Sequence, residues 1–186
     1  REMENRNFLG GAAIVAAHIS ALGANCDLVS VVGTDNSASI VRKELKDLNI
    51  GDAITNDFAR PTTLKKRYVV EKQKIFRVSR LEEQYLEQVV EDEVINNLEK
   101  LAPSAHGIVV SDFVYGVITP RILEVVQYLA KKYNLLLFGD LQCSSQVGSV
   151  ARFQNFSLLC PNEREARLAL QDKESGLEQL SQKLRL

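Results

Sequence analysis

No apolar run in this chain approaches the length needed to cross a bilayer. The longest lies near Phe8 to Ala17 and stops at His18, about half of the ~20 residues that a spanning helix takes. Arg1 to Asn7 are polar and no cleavage-type apolar segment follows them, so neither a membrane partner nor a secretory leader is expected. Cysteine is scarce. Cys26, Cys143 and Cys160 are the three in the chain, an odd number at spacings unlike any metal site. Two of them fall in or beside predicted strands, and all three are expected to be buried thiols of a cytoplasmic, reducing protein. The two histidines, His18 and His106, have no ligand-spaced His, Asp or Glu and are not expected to be catalytic. There is no Ser-centred nucleophile elbow, no Walker-type glycine loop with lysine, and no dinucleotide fingerprint at Gly10-Gly11. Internal repeats, low-complexity tracts and a clear linker are also lacking.

What remains is a chain of 186 residues, 45% hydrophobic and 25% charged, which fits one globular domain with a real core. Its net charge of -1 is unevenly spread. From Arg60 to Arg80, eight basic residues (Arg60, Lys65, Lys66, Arg67, Lys72, Lys74, Arg77, Arg80) face one acid, Glu71. That segment carries +7 and the remainder -8, so an anionic partner is expected there and not over the whole surface. A nucleic-acid partner is not expected, because aromatic platforms beyond Tyr68 and Phe76 are missing from the segment.

In chain order, the pair Gly10-Gly11 opens an Ala-rich helix that is apolar nearly all round, and paired glycines let backbone approach a ligand or a strand closely. Cys26 to Val32 reads as a strand, Gly33-Thr34-Asp35-Asn36 as a turn and cap, and Ile40, Val41, Leu45 and Leu48 as a helix stripe ended by Asn49-Ile50-Gly51. Thr62 to Val70 and Lys74 to Ser79 alternate with β-rich composition and read as a hairpin standing off the body as a flap. Thr63, Lys65 and Arg67 fall on one face of its first strand, and Ile75 and Arg77 share a face of the second. Helical spacing returns at Leu86, Val90, Val94, Leu98 and Leu101 until Pro103. A strand Gly107 to Ser111, a helix from Pro120 (Ile122, Val125, Val126, Leu129, Tyr133), and a strand Leu135 to Phe138 follow. Repeated alternation of strand and helix predicts a parallel sheet covered by helices. Ligands in such sheets bind beyond the carboxyl ends of the strands, where Asp35, Asp112, Asp140 and Asn162 all fall.

The junction Leu158 to Glu165 reads as a short buried strand turning at Pro161 into a helix N-terminus, a setting that attracts phosphate or a metal-phosphate complex. Asn162 and Glu165 project from one side of that first turn. They suit a phosphate flanked by a magnesium ion, with the carboxylate holding metal water; they equally suit an N-cap and its capping-box partner. Asp112 and Asp140 are open to the same choice between metal or base work and capping. The chain lacks an initiator methionine and stops inside a helical pattern, Leu177 to Leu186, so a fragment of a longer protein is expected.

The order of these features is more specific than any one of them. Gly10-Gly11 into an Ala-rich helix, Gly33-Thr34-Asp35, a Thr-Thr-x-Lys-x-Arg strand, Ser-Asp-Phe-x-x-Gly, a strand ending in Asp140, and Pro-Asn-Glu-x-Glu resemble the ribokinase-type (PfkB) carbohydrate kinases, most of all their heptose-phosphate branch. The resemblance implies an α/β fold of three layers, α/β/α, with a mostly parallel sheet and a small β-sheet lid. Residues 1–186 would then form one partial domain with a lid hairpin at about 53–80. It implies transfer of the γ-phosphoryl of ATP, with Mg2+, to a hydroxyl of a sugar or sugar phosphate. Gly10, Gly11, Asp35, Asp112 and Gly116 would line the sugar pocket, and Lys65, Arg67 and Arg77 would take a phosphate already on the sugar. Asn162, Glu165 and Asp140 would serve the nucleotide phosphates, with Asn162 and Glu165 at the metal. A homodimer through the lid is expected by the same resemblance. Three departures stand out: Ile14 where the family's asparagine is usual, Tyr115 where the heptose branch has lysine, and no Gly-Ala-Gly-Asp segment with the catalytic base. The alternative is a non-catalytic carbohydrate- or nucleotide-binding module on a degenerate kinase fold.

Overall fold

The computed structural model describes residues 4–71, 73–142 and 150–185. Lys72 and Cys143 therefore lie outside the described residues. Two compact units divide the chain, Arg1–Glu82 and Glu83–Leu186.

The first unit begins with α1 (Ala12–Ala21), β1 (Asp27–Val32), α2 (Asn36–Asp47) and β2 (Gly51–Asn56), with β1 and β2 paired in parallel from Asp27↔Gly51 to Val32↔Asn56. Asp35 caps α2 by accepting the Ala38 amide at 3.1 Å, which satisfies one of the orphan donors of a helix start. At the other end, Asn49 adopts a left-handed φ of 54°. That lets the Ile50 amide return to the Leu45 carbonyl at 2.9 Å, closing the helix. Ala13 and Ala16 of α1 pack with Leu28, Val32, Ala38, Leu45, Ile50 and Ile54 as one buried cluster. Small residues on α1 are what allow it this close approach. Ile14 and His18 lie on its exposed side, so the helix is less enclosed than its all-round apolar sequence predicts.

Gly51–Asn56 is a strand that the sequence reading did not separate from the hairpin region. It joins β1 in parallel, and the hairpin proper begins at Leu64 and not near residue 53. The reason is local: Asp52, Ala53 and Asn56 weaken the β signal, while pairing with β1 and burial of Ile54 and Thr55 supply what propensity does not. β3 (Leu64–Val70) and β4 (Gln73–Arg80) form the antiparallel hairpin, with a register irregularity between Tyr68 and Val69.

In the second unit, α3 (Gln88–Leu101), β5 (Gly107–Asp112), α4 (Pro120–Tyr133), β6 (Leu136–Leu141), β7 (Leu158–Leu159), α5 (Glu163–Leu170) and α6 (Leu177–Leu184) follow in sequence, and β5, β6 and β7 pair in parallel in that order. α4 has complete punctuation: the Thr119 hydroxyl accepts the Ile122 amide at 3.0 Å, Pro120 stands at the first turn, and left-handed Asn134 ends it. Its buried stripe is Ile122, Leu123, Val126, Leu129 and Ala130. Val94, Ile95, Val110, Leu137, Leu141, Phe153, Ala166 and Leu180 also lie in this unit's interior. The parallel strands flanked by helices are those the alternating pattern predicts.

The cysteines depart from expectation. Cys160 is exposed and Cys26 only partly buried, and both are free thiols. Cys160 follows β7, which has two residues and, among the described residues, a strand on one side only, so none of those residues covers the position. Among the described residues no helix is long and apolar enough to cross a membrane.

Leu45 is 0% exposed and Leu22 87% exposed. In denaturant unfolding, Leu45→Ala is expected to cost about 2–5 kcal/mol through transfer and cavity terms, whereas Leu22→Ala stays within about 0.5 kcal/mol.

Candidate functional site

In the first unit the sequence candidates converge on the β1–α2 turn and the hairpin. Gly11 is the N-cap of α1 at φ 57° and ψ -139°, a region that side-chain-bearing residues avoid. No side chain caps that helix and its first turn holds no acid. A Cβ on Gly10 would meet nothing within 4 Å, so this helix start is open to an approaching oxygen ligand.

Asp35 does more than cap. Its Oδ2 accepts the Thr62 amide at 3.1 Å and the Arg80 guanidinium at 2.7 Å. The Thr62 hydroxyl in turn accepts the Gly33 amide at 3.0 Å. A Cβ on Gly33 would lie 2.5 Å from the Arg60 carbonyl oxygen, so glycine is what lets the turn close onto residues 60–62. Burial pushes the Asp35 carboxyl up. The Thr62 hydroxyl, the Ala38 and Thr62 amides and the Arg80 charge outweigh that and hold it below its ordinary value.

The hairpin separates its residues by chemistry. Tyr68 and Phe76 are cross-strand partners with stacked rings 4.3 Å apart, and Lys66 lies over the Tyr68 ring at 5.0 Å. On the opposite face, Arg67 and Arg77 are direct cross-strand partners and Lys65 stands two residues before Arg67. Like charges directly opposed on a strand pair destabilise it. Among the described residues neither Arg67 nor Arg77 has a hydrogen-bond or ion-pair partner. Lys65 and Arg67, expected on one face of the first strand, and Arg77, expected on one face of the second, therefore share a single face of the hairpin.

In the second unit, Asp112, Asp140 and Asn162 fall at the carboxyl ends of three adjacent strands. Asp112 is 3% exposed. Its Oδ1 accepts the Val114 amide at 2.8 Å and its Oδ2 lies 3.3 Å from the Arg152 guanidinium, which also donates to the Ile118 carbonyl at 2.6 Å. Burial pushes the Asp112 carboxyl up, partly offset by the Val114 amide and Arg152. Its role is thus to brace the loop that follows. Gly116 in that loop has φ 76°, and a Cβ there would sit 1.8 Å from the Gln84 carbonyl oxygen. Val114 is also left-handed, at φ 59°, a costly choice for a β-branched residue and a conformation that surrounding contacts must hold. Tyr115 is buried and stacks with Phe113 at 6.2 Å. Asp140 accepts from the Gln142 side-chain amide at 3.1 Å and is the register partner of Ser111, whose buried Oγ has no hydrogen-bond partner among the described residues.

Asn162 and Glu165 form a reciprocal capping box: the Glu165 amide donates to Asn162 Oδ1 at 3.0 Å and the Asn162 amide to Glu165 Oε2 at 2.9 Å. Glu165 is 5% exposed. Glu163 and Glu165 also place two acids in the first turn of α5, which disfavours direct phosphate contact and suits a hydrated cation. Among the described residues no three of His, Cys, Asp and Glu gather as a metal-holding group, so the donors present fit a water-mediated hold on a metal and not a closed coordination shell. Sequence reasoning missed Thr62, Arg80 and Arg152 as organisers. Each contacts a carboxylate or turn distant in sequence, and no local pattern signals such a partner.

Comparison with known proteins fixes the class. The model of the pfkB family carbohydrate kinases matches residues 1–185. The chain belongs to that family, the one its motif order resembles. Among curated proteins it is 31% identical over 162 residues to "Bifunctional protein HldE" of Campylobacter jejuni (strain RM1221), covering 87% of this chain and 33% of that protein. It is 29% identical over 171 residues to the protein of the same name from Hyphomonas neptunium, covering 91% and 34%. The chain thus spans about a third of these relatives. Among solved structures it is similar to the tetrameric inhibited form of phosphofructokinase-2 from Escherichia coli (TM-score 0.66, 17% identity, 94% of this chain, 56% of that one). A ribokinase from Giardia lamblia is similar as well (TM-score 0.68, 17% identity, 92% and 52%). The fold is accordingly ribokinase-like α/β.

A carboxylate whose folded pKa lies below its unfolded value contributes stability above the unfolded value and loses it as pH falls through the folded one. The amides of Ala38 and Thr62 are therefore expected to keep their Asp35-bonded NMR shifts through the ordinary carboxylate range and to lose them only in more acidic solution. Asp35→Asn should abolish that acid transition.

Proposed function

We propose that this chain is the sugar- and nucleotide-binding part of an ATP-dependent kinase that phosphorylates a hydroxyl of a sugar or sugar phosphate of heptose-phosphate type, in the cytoplasm. The observation that carries the reading is the face formed by Lys65, Arg67 and Arg77. An unrelieved pair of opposed guanidiniums is costly by itself and favourable around a phosphate, to which arginine donates in a planar fork. In this reading that face takes the phosphate already on the substrate. Gly10, Gly11 and Asp35 meet sugar hydroxyls at the open start of α1 and the β1–α2 turn. In the second unit, the loop braced by Asp112 and carrying Gly116 is a separate candidate for substrate contact.

Asn162 and Glu165, with Asp140, would serve the nucleotide end. Bound Mg2+ supplies charge neutralisation of the ATP phosphates. The capping box fixes the Glu165 carboxyl against the helix start, where it could hold a metal water, while Asn162 is exposed at the turn. None of these groups is assigned the proton from the attacking hydroxyl: Asp112 is enclosed and already bonded, and the family's Gly-Ala-Gly-Asp segment would supply the base from elsewhere in the protein. The chemistry here is positioning and charge placement.

With the full-length protein, Mg-ATP and a heptose or hexose phosphate are expected to yield ADP. Arg67→Gln and Arg77→Gln should each raise KM for the phosphorylated sugar about 10–100-fold, the worth of a charged hydrogen bond, with KM for ATP nearly unchanged. Equal loss toward unphosphorylated sugars would sink the phosphate assignment. Calorimetric binding of sugar phosphate without ADP production would favour a non-catalytic module, the reading that Ile14 and the buried Tyr115 support.

A homodimer through the hairpin belongs to the same reading. Leu64, Phe76 and Val78 are 41%, 53% and 52% exposed on the face away from Arg67 and Arg77, and a second copy would cover them. Light scattering of the full-length protein is expected to give a dimer mass, and Phe76→Asp with Val78→Asp a monomer.

A further inference from the structure

The basic face can serve a ligand only if its orientation is fixed, and burial does not fix it. Every residue of β4 is exposed, no residue of β3 is fully buried, and a two-stranded hairpin is marginal in isolation. An attachment at each foot instead converges on one side chain. Thr62 stands just ahead of β3, and Arg80 ends β4 as the cross-strand partner of Leu64. The Thr62 amide and the Arg80 guanidinium both donate to Asp35 Oδ2, at 3.1 and 2.7 Å. Asp35 Oδ1 is held by the Ala38 amide at 3.1 Å. Both feet of the hairpin are thus tied to one oxygen of a carboxylate whose other oxygen is anchored on α2.

The bond from the Gly33 amide to the Thr62 hydroxyl, at 3.0 Å, doubles the tie at the first foot. At the second foot Arg80 is the tie. Its place in the pairing separates it from the phosphate-facing set, because it shares a strand face with Val78 and Phe76 and not with Arg77. Arg80 and Arg77 are therefore two arginines of one short strand with opposite duties.

We infer that Arg80 is a positioning residue: by pairing with Asp35 across the foot of the hairpin it sets the orientation of the Lys65, Arg67 and Arg77 face toward an anionic group of the substrate, without touching that group itself. The inference rests on the kinase reading only for the identity of the anion. It also gives Asp35 a second duty, since a sugar hydroxyl arriving at Asp35 meets a carboxylate already shared with the hairpin. Substrate at that turn and the angle of the basic face are then coupled through one side chain.

Hydrogen exchange of the full-length protein, with calorimetric binding of inorganic phosphate and a hexose phosphate, tests this. Arg80→Gln is expected to speed exchange of the β3 and β4 amides about two- to fivefold while leaving α4 unchanged, because local opening of a weakly held segment follows its own free energy and an exposed ion pair contributes an increment of that size. It should also weaken hexose phosphate binding, and Arg80→Lys should restore part of both. Arg77→Gln should weaken binding and leave exchange at the wild-type rate. Wild-type exchange in Arg80→Gln overturns the inference, and so does a matching pattern in the two variants, which would make Arg80 a direct anion contact. If the unaltered protein binds no phosphate while Arg80→Gln still speeds exchange, the positioning role stands and the kinase reading of the basic face falls.

Discussion

The carboxylate of Asp35 is the interaction on which the functional geometry of the first unit depends. It starts α2, closes the turn after β1, and holds a hairpin in which no residue is fully buried. An exposed ion pair contributes only about 0–1 kcal/mol to global stability, so Asp35 and Arg80 do not hold the fold together. The buried cluster of Ala13, Ala16, Leu28, Val32, Leu45 and Ile54 does that. Increments of that size matter where little else competes, and the foot of a marginal hairpin is such a place.

The second unit uses buried polar bonds for a comparable purpose. Asp112 is enclosed, and its desolvation is offset by the Val114 amide and Arg152. Arg152 also binds Ile118, so both ends of the 112–118 loop are held by one guanidinium. Gly116 against the Gln84 backbone and left-handed Val114 show that this loop is held in a conformation which most sequences would not choose. A loop held so tightly suits a pocket wall better than a moving part.

The junction at Asn162 shows how one constellation carries two readings. The capping box is present in full, with both reciprocal bonds, and it accounts for why an amide and a carboxylate stand three residues apart. A metal role asks for nothing different from the same side chains: a fixed carboxyl group and an exposed amide at the end of a parallel strand. Local chemistry therefore does not separate structure from function here; family membership over residues 1–185 is what gives the second reading its weight.

Much of the architecture was legible because it is written locally. Thr119-Pro120, Asn134 and the Ile122 stripe define α4, Asp35 defines the start of α2, and alternation in 64–80 defines the hairpin. β2 was not legible, since Asp52 and Asn56 mask a strand that exists because β1 offers it a parallel partner. Cys160 was misjudged because strand propensity says nothing about whether an edge is covered. By itself the sequence determined the helices, the hairpin and the order of motifs that marks the family, because capping, periodicity and turn chemistry act within a few residues. Only the tertiary structure decided that Arg67 opposes Arg77, that Asp35 receives Arg80 from 45 residues away, and that Arg152 braces Asp112 from 40 residues away. Register and long-range charge pairing follow from how the chain closes on itself, and no local pattern encodes that closure.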